Sequence, residues 1–221
     1  GKNLGIVLNL EKSEAASPSA EDQKAQSLGD AIFNRWYLGG LFKGQYPDEL
    51  TTILAPFLPE GYERDMEIVS RPLDWLGINY YTRSIYRADP TRALIPISQV
   101  KGDLPKSDLG WEIYPQGLED MLVRVSREYT KLPVYITETG MSETDDTRRV
   151  QFYDDHLKAV ARAQSQGADV RGFFAWSLLD NYEWAEGYQS RFGIVHVDYE
   201  TQQRTPKGSY RAFQGMLHNT R

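Results

Sequence analysis

The sequence predicts an α/β fold built on a parallel sheet, either doubly wound or closed into a barrel. Three observations carry this. Four short apolar runs are nearly continuous rather than alternating, as strands covered on both faces require. Segments with a helical period separate them. Strand and helix then alternate along the chain, which is the order of βαβ units.

The first apolar run, 4–8, is a strand, and Ser19 is placed to N-cap a helix whose stripe is Leu28, Ile32, Phe33 and Trp36. The second run, 76–81, is followed by a long connection bearing Pro and Gly over 83–110. Leu118, Met121, Leu122, Val125 and Tyr129 form the stripe of the next helix, which leads to the third run at 134–137. Asp145 or Asp146 caps a third helix with Val150, Tyr153, Leu157 and Val160 on its apolar face. The fourth run, 173–178, opens into a second long connection over 181–193. Residues 193–198 and the polar turn 201–203 read as a small hairpin, and 210–218 as a closing helix. No repeat and no internal boundary is legible, so 1–221 is read as one domain or a large piece of one.

Composition narrows the function. With 40% hydrophobic and 25% charged residues, the 221-residue chain has ordinary globular usage. A formal charge of −6 argues against a surface that neutralises phosphates, so no nucleic-acid partner is expected. Cysteine is absent, which removes disulfides, thiolate zinc sites and a cysteine nucleophile. His156, His196 and His218 are scattered without ligand spacing, and no Gly-rich phosphate loop follows a strand, so neither metal nor cofactor is expected. No apolar run approaches the roughly 20 residues that span a bilayer, and residues 1–4 do not begin a signal peptide; no membrane association is expected, and the cytoplasm is the default compartment. The chain enters its first strand pattern at once, without an initiator Met, which suggests a fragment.

In α/β folds, sites are built on the loops at the carboxyl ends of strands. Glu138 ends the third run and precedes Thr139-Gly140, so its carboxylate emerges there; by position alone it reads as a solvated loop glutamate more readily than as a catalytic group. Residues 176–188 run from a strand end into a turn dense with Trp and acids, either a sugar site of stacking rings and hydrogen-bonding carboxylates or an aromatic corner with surface acids. Asn79, Tyr80 and Tyr81 end the second run, and either tyrosine is able to donate to a nearby carboxylate and hold it ionised.

Here the motifs converge. Val134-Tyr135-Ile136-Thr137-Glu138-Thr139-Gly140 resembles the nucleophile motif of the retaining β-glycosidases of glycoside hydrolase family 1, and residues 176–188 resemble that family's glycone-binding signature. Residues 76–83 resemble the strand carrying its tyrosine, and Gly110-Trp111-Glu112-Ile113-Tyr114-Pro115 the segment that walls its aglycone site. The resemblance spans essentially the whole chain and implies a (β/α)8 TIM barrel, of which this chain supplies the last four βα units, a small hairpin and a closing helix.

By that resemblance the chain is β-glucosidase-like. Glu138 is the nucleophile and Tyr81 its hydrogen-bonding partner. Trp176 floors the glycone sugar, Glu183 takes two of its outer hydroxyls and Trp184 donates an indole N–H to another. Trp111 and Phe192 shape the aglycone side, and Asn79 lies near the nucleophile. One departure stands at Thr139, where the family usually has Asn. Retaining hydrolysis needs a second carboxyl group about 5–5.5 Å from the first, and the Asn-Glu-Pro motif that supplies it in the family does not occur here. A whole barrel takes about 250 residues, so the expected partner is an amino-terminal half barrel, or a second copy, that covers the open strand edges. The expected substrate is a β-glycoside or oligosaccharide. The alternative is a non-catalytic carbohydrate-binding or self-associating fragment.

Overall fold

The structure, a computed structural model, describes residues 3–218; Gly1, Lys2 and residues 219–221, the extreme ends of the chain, lie outside that span. Strand β1 (Gly5–Asn9) leads into β2 (Lys12–Ala15), helix α1 (Ala20–Asp30), a π-helical turn (Ala31–Arg35), α2 (Trp36–Lys43), α3 (Asp48–Leu54) and α4 (Met66–Val69). Next come β3 (Trp75–Asn79), β4 (Arg83–Ala88), β5 (Ile97–Val100) and α5 (Pro115–Glu128). The chain continues with β6 (Val134–Thr139), α6 (Asp146–Ser165), β7 (Val170–Ala175), the hairpin of β8 (Val195–Val197) and β9 (Arg204–Pro206), and α7 (Gly208–His218).

β1, β3, β6 and β7 form one sheet in that order, each pair parallel, as the apolar runs and alternating helices predict. One face is closed by α5 and α6: Leu8, Leu76, Ile78, Val134 and Ile136 pack with Leu118, Met121, Leu122, Val125 and Val160. Full burial of such side chains is worth about 1.5–3 kcal/mol each, so this layer holds the sheet in register. Parallel sheets are normally covered on both faces. Here β1 leaves Ile6 and Val7 exposed, Leu4 just before it is exposed too, and β7 leaves Phe174 exposed.

Both predicted N-caps hold. The Ser19 side chain accepts from the Asp22 backbone N–H, and that of Asp145 from Thr147. Pro115 starts α5 at the first turn, where its missing N–H costs nothing.

Four expectations need correction. The connection 83–110 is not irregular: β4 and β5 join β2 in a second, three-stranded sheet. Within β4 only Tyr86 is buried, so no apolar run marks it. The fourth strand lies earlier than 173–178, because residues 176–178 leave the sheet and turn toward 192–195, with Ser177 N–H donating to Phe192 O and Val195 N–H to Leu178 O. The first helix is interrupted by the π turn, which adds a residue to the repeat and rotates the faces beyond it. Ala31, Asn34 and Leu38 are buried in consequence, and Phe33 is 39% exposed. On α6 the inward face is Phe152, Tyr153, His156, Ala159 and Val160, so Val150 and Leu157 sit at its margin.

Candidate active site

The carboxyl ends of β3, β6 and β7 meet where the strand register loosens. β3 and β6 shift register between Ile78 and Asn79, and β6 and β7 between Ile136 and Thr139. Looser pairing frees side chains at these strand ends from the regular alternation of the sheet. Asn79 and Glu138 are opposite one another after the shift. The end of β6 is also pinned to the chain beyond β7: Trp176 N–H donates to Thr139 O at 2.8 Å. Gly140 is required by this approach, since a Cβ there would sit 1.8 Å from the Trp176 carbonyl oxygen.

Within that junction Tyr81 Oη donates to Glu138 Oε2 at 2.6 Å. Burial, and then the Glu138 carboxylate, push the Tyr81 phenol far above its usual range, so it is a neutral donor at any working pH. The neighbouring tyrosine is occupied elsewhere: Tyr80 is fully buried and donates to Tyr114 O at 2.8 Å. The choice left open by the residue pattern thus falls to Tyr81. Asn79 accepts at 2.7 Å from the Thr137 hydroxyl, which fixes its amide beside Glu138.

Trp111 and Phe192 flank Tyr81. The Tyr81 ring meets Trp111 edge-on at 5.4 Å and Phe192 at 6.3 Å, and Trp111 tilts against Phe192 at 6.1 Å. Glu183 belongs to the same electrostatic neighbourhood. Its carboxyl is raised by partial burial, held back by the Trp176 indole, and raised further by Glu138 and Glu186. Trp184 is the exception. It stands 80% exposed at φ 43°, on a short turn that projects from the cluster. The structure therefore brings together Glu138, Tyr81, Asn79, Trp111, Phe192, Trp176 and Glu183, but leaves Trp184 outside their packing.

Two supporting networks escaped the sequence reading. Asp180, buried just past Trp176, accepts from the Gly193 N–H at 2.9 Å, Arg191 at 2.8 Å and Lys207 at 3.0 Å. It thereby ties the loop carrying Phe192 to the loop carrying Trp176. Burial works to raise its carboxyl, yet Arg191 and Lys207 hold it below the usual carboxylate range. Glu112, beside Trp111, is buried and bonded to Arg83 and the Leu104 N–H, both at 2.7 Å. Arg83 reaches on to Glu14 at 2.7 Å. These partners are far apart in sequence, and no local spacing announces them.

Among the described residues no group of three or more His, Asp or Glu is arranged to hold a metal, and no helix is long and apolar enough to cross a membrane. The chemistry at hand is that of an oriented carboxylate beside aromatic faces, which suits a nucleophile or a general base.

Residues 1–221 match the sequence profile of Glycosyl hydrolase family 1. A 1,4-beta-D-glucan glucohydrolase of Thermotoga neapolitana is 39% identical over 227 residues, covering 98% of this chain and 51% of that protein. Beta-glucosidase A of Thermotoga maritima is 38% identical, covering 98% of this chain and 50% of that protein. Among solved structures, a beta-glucosidase from Thermotoga maritima in complex with deoxynojirimycin superposes with a TM-score of 0.94 at 37% identity, over 98% of this chain and 51% of that one. A beta-glucosidase from Exiguobacterium marinum superposes with a TM-score of 0.91 at 35% identity, over 98% of this chain and 52% of that one. The chain spans about half the length of the curated relatives it matches, and its four-stranded parallel sheet corresponds to about half of their TIM barrel.

Proposed function

The chain belongs to glycosyl hydrolase family 1, and from that premise we propose that it supplies the nucleophile-bearing, carboxyl-terminal half of a retaining β-glucosidase. The observation that carries this reading is the 2.6 Å bond from Tyr81 to Glu138 at the splayed ends of β3 and β6. A carboxylate that accepts a short bond from a neutral phenol is held in one orientation, as an attacking group must be.

In this reading Glu138 attacks the anomeric carbon through an oxocarbenium-like transition state and forms a covalent glycosyl-enzyme. Trp176 lies under the glycone ring and Glu183 takes outer hydroxyls. Trp184, 80% exposed in this half, donates its indole N–H to another hydroxyl of that sugar. Trp111 and Phe192 receive the leaving group. The acid that protonates the departing oxygen, and later activates water, comes from the amino-terminal half of the barrel, which also covers the exposed apolar side chains of β1 and β7. The hydrolase names of the relatives weigh against a fragment that binds sugar without turning it over.

The test is a trap. The chain is mixed with the amino-terminal half of the Thermotoga maritima relative and treated with a 2-deoxy-2-fluoro-β-glucoside bearing a good leaving group. Peptide mass spectrometry is expected to find the adduct on Glu138. A refolded, assembled barrel that stays unlabelled, or is labelled at another carboxylate, overturns the assignment.

A further inference from the structure

Thr137 stands next to Glu138 in β6, and the double displacement makes no use of it. It is the extra residue of its strand. In the ladder with β3, Ile136 is opposite Ile78 and Glu138 opposite Asn79, so Thr137 has no residue across from it. Against β7 the pairing likewise passes from Ile136 to Thr139. Regular alternation would send neighbours to opposite faces of a sheet. The extra residue lets Thr137 and Glu138 turn to the same side, where the first bonds Asn79 and the second Tyr81.

The Thr137 side chain is set from two directions. Gly77 on β3 leaves room for it: a Cβ there would lie 2.8 Å from Thr137 Cγ2 and 3.0 Å from Oγ1, and 2.8 Å from Val7 Cγ2 on β1. With the methyl group seated against Gly77, the hydroxyl reaches Asn79 and donates to Oδ1 at 2.7 Å. Two heavy atoms on Cβ make threonine stiff at χ1, so the placing of the methyl group also places the hydroxyl.

That bond occupies one end of the Asn79 amide. An amide has an accepting oxygen and a donating nitrogen, and here the oxygen is taken. Nδ2 has no hydrogen-bond partner among the described residues, and Asn79 is the register partner of Glu138. Two N–H donors are therefore free at the splayed strand ends. In the reversed rotamer the carbonyl oxygen would stand there instead, beside a carboxylate and unable to donate.

We infer that Thr137 is a positioning residue: its hydroxyl holds the Asn79 amide with the N–H donors presented to the sugar beside Glu138, and it acts on the reaction only through Asn79. The inference rests on the hydrolase reading above and adds to it a residue that does not itself touch the sugar.

The test is a double-mutant cycle in the assembled barrel on an aryl β-glucoside, with the fold of each variant verified by its melting temperature. Thr137→Val keeps the shape and the β-branch and removes only the hydrogen bond, so kcat/KM is expected to fall about three- to tenfold. Thr137→Ser, which keeps the hydroxyl, is expected to recover most of that loss. Asn79→Ala is expected to lower the rate as well, and adding Thr137→Val to it should cost nothing more, because the hydroxyl then has nothing left to hold. A residue that merely supports the strand would give losses that multiply in the double variant. Multiplied losses, or a Thr137→Val rate equal to the parent's, overturn the assignment while the hydrolase reading stands. Should the folded parent turn over nothing, the hydrolase reading fails and calorimetric binding of cellobiose decides for Thr137 by the same cycle, where losses that multiply, or absent binding, overturn it.

Discussion

Tyr81 and Glu138 are 57 residues apart in sequence and joined by a 2.6 Å hydrogen bond, through which the segment just past β3 fixes the orientation of a carboxylate on β6. Its removal has a defined consequence. A hydrogen bond to a charged group is worth about 1.5–3 kcal/mol, so Tyr81→Phe in the assembled barrel should lower kcat/KM for an aryl glucoside about 10- to 100-fold. Because burial and Glu138 keep the phenol protonated, the parent's pH–rate profile should carry no limb from Tyr81. An unchanged rate in the variant would remove Tyr81 from the site.

Gly140→Ala tests the junction of β6 with the chain after β7. The added Cβ would lie 1.8 Å from Trp176 O, against backbone rather than a yielding side chain, so β6 must move. Overpacking of this sort costs about 1–3 kcal/mol. The expected result is a lower melting temperature with a loss of kcat/KM exceeding that of an equally destabilised variant on α5, because the displaced residue is next to Glu138.

Asp180→Asn tests the anchor between the Trp176 and Phe192 loops. Neutralising it leaves Arg191 and Lys207 facing a buried amide, and breaking one side of a buried pair costs about 3–5 kcal/mol. The carboxyl's lowered folded pKa means that its stabilisation is present above the unfolded value and fades as pH falls through the folded one. Urea midpoints for parent and variant at neutral pH should therefore differ strongly, and the gap should narrow in strong acid.

The strands of the main sheet and the long helices were legible because burial on two faces writes continuous apolar runs, and burial on one face writes a helical stripe. β4 was illegible for the same reason inverted: with Tyr86 alone buried, its stability comes from pairing to β2 and β5. The π turn was illegible because one extra residue in a helical repeat leaves composition unchanged while moving Phe33 from the inner face to the surface. Glu138 and Tyr81 were readable only as motifs, since a strand-end carboxylate has no periodicity of its own. Asp180 and Glu112 each draw a partner from a distant segment, and such pairings exist only after folding.

His156 illustrates the same limit and yields a pH prediction. Its place on α6 marks it as an ordinary helix residue, but it is fully buried, stacked on Phe152 at 3.8 Å, with Nδ1 2.7 Å from the Phe152 carbonyl oxygen. That carbonyl can only accept, so Nδ1 carries the proton of a neutral ring, and Nε2 has no hydrogen-bond partner. Burial lowers the pKa to about 4. The unfolded imidazole, near 6.5, binds its proton first, so stability is complete above the unfolded value and declines as pH falls toward the folded one. The decline attributable to this residue approaches about 3 kcal/mol at the acid end. His156→Leu, of similar volume, should remove it. Denaturant midpoints at pH 7.5 and pH 5 should fall further apart in the parent than in the variant, and an equal fall in both would assign the acid sensitivity to other groups.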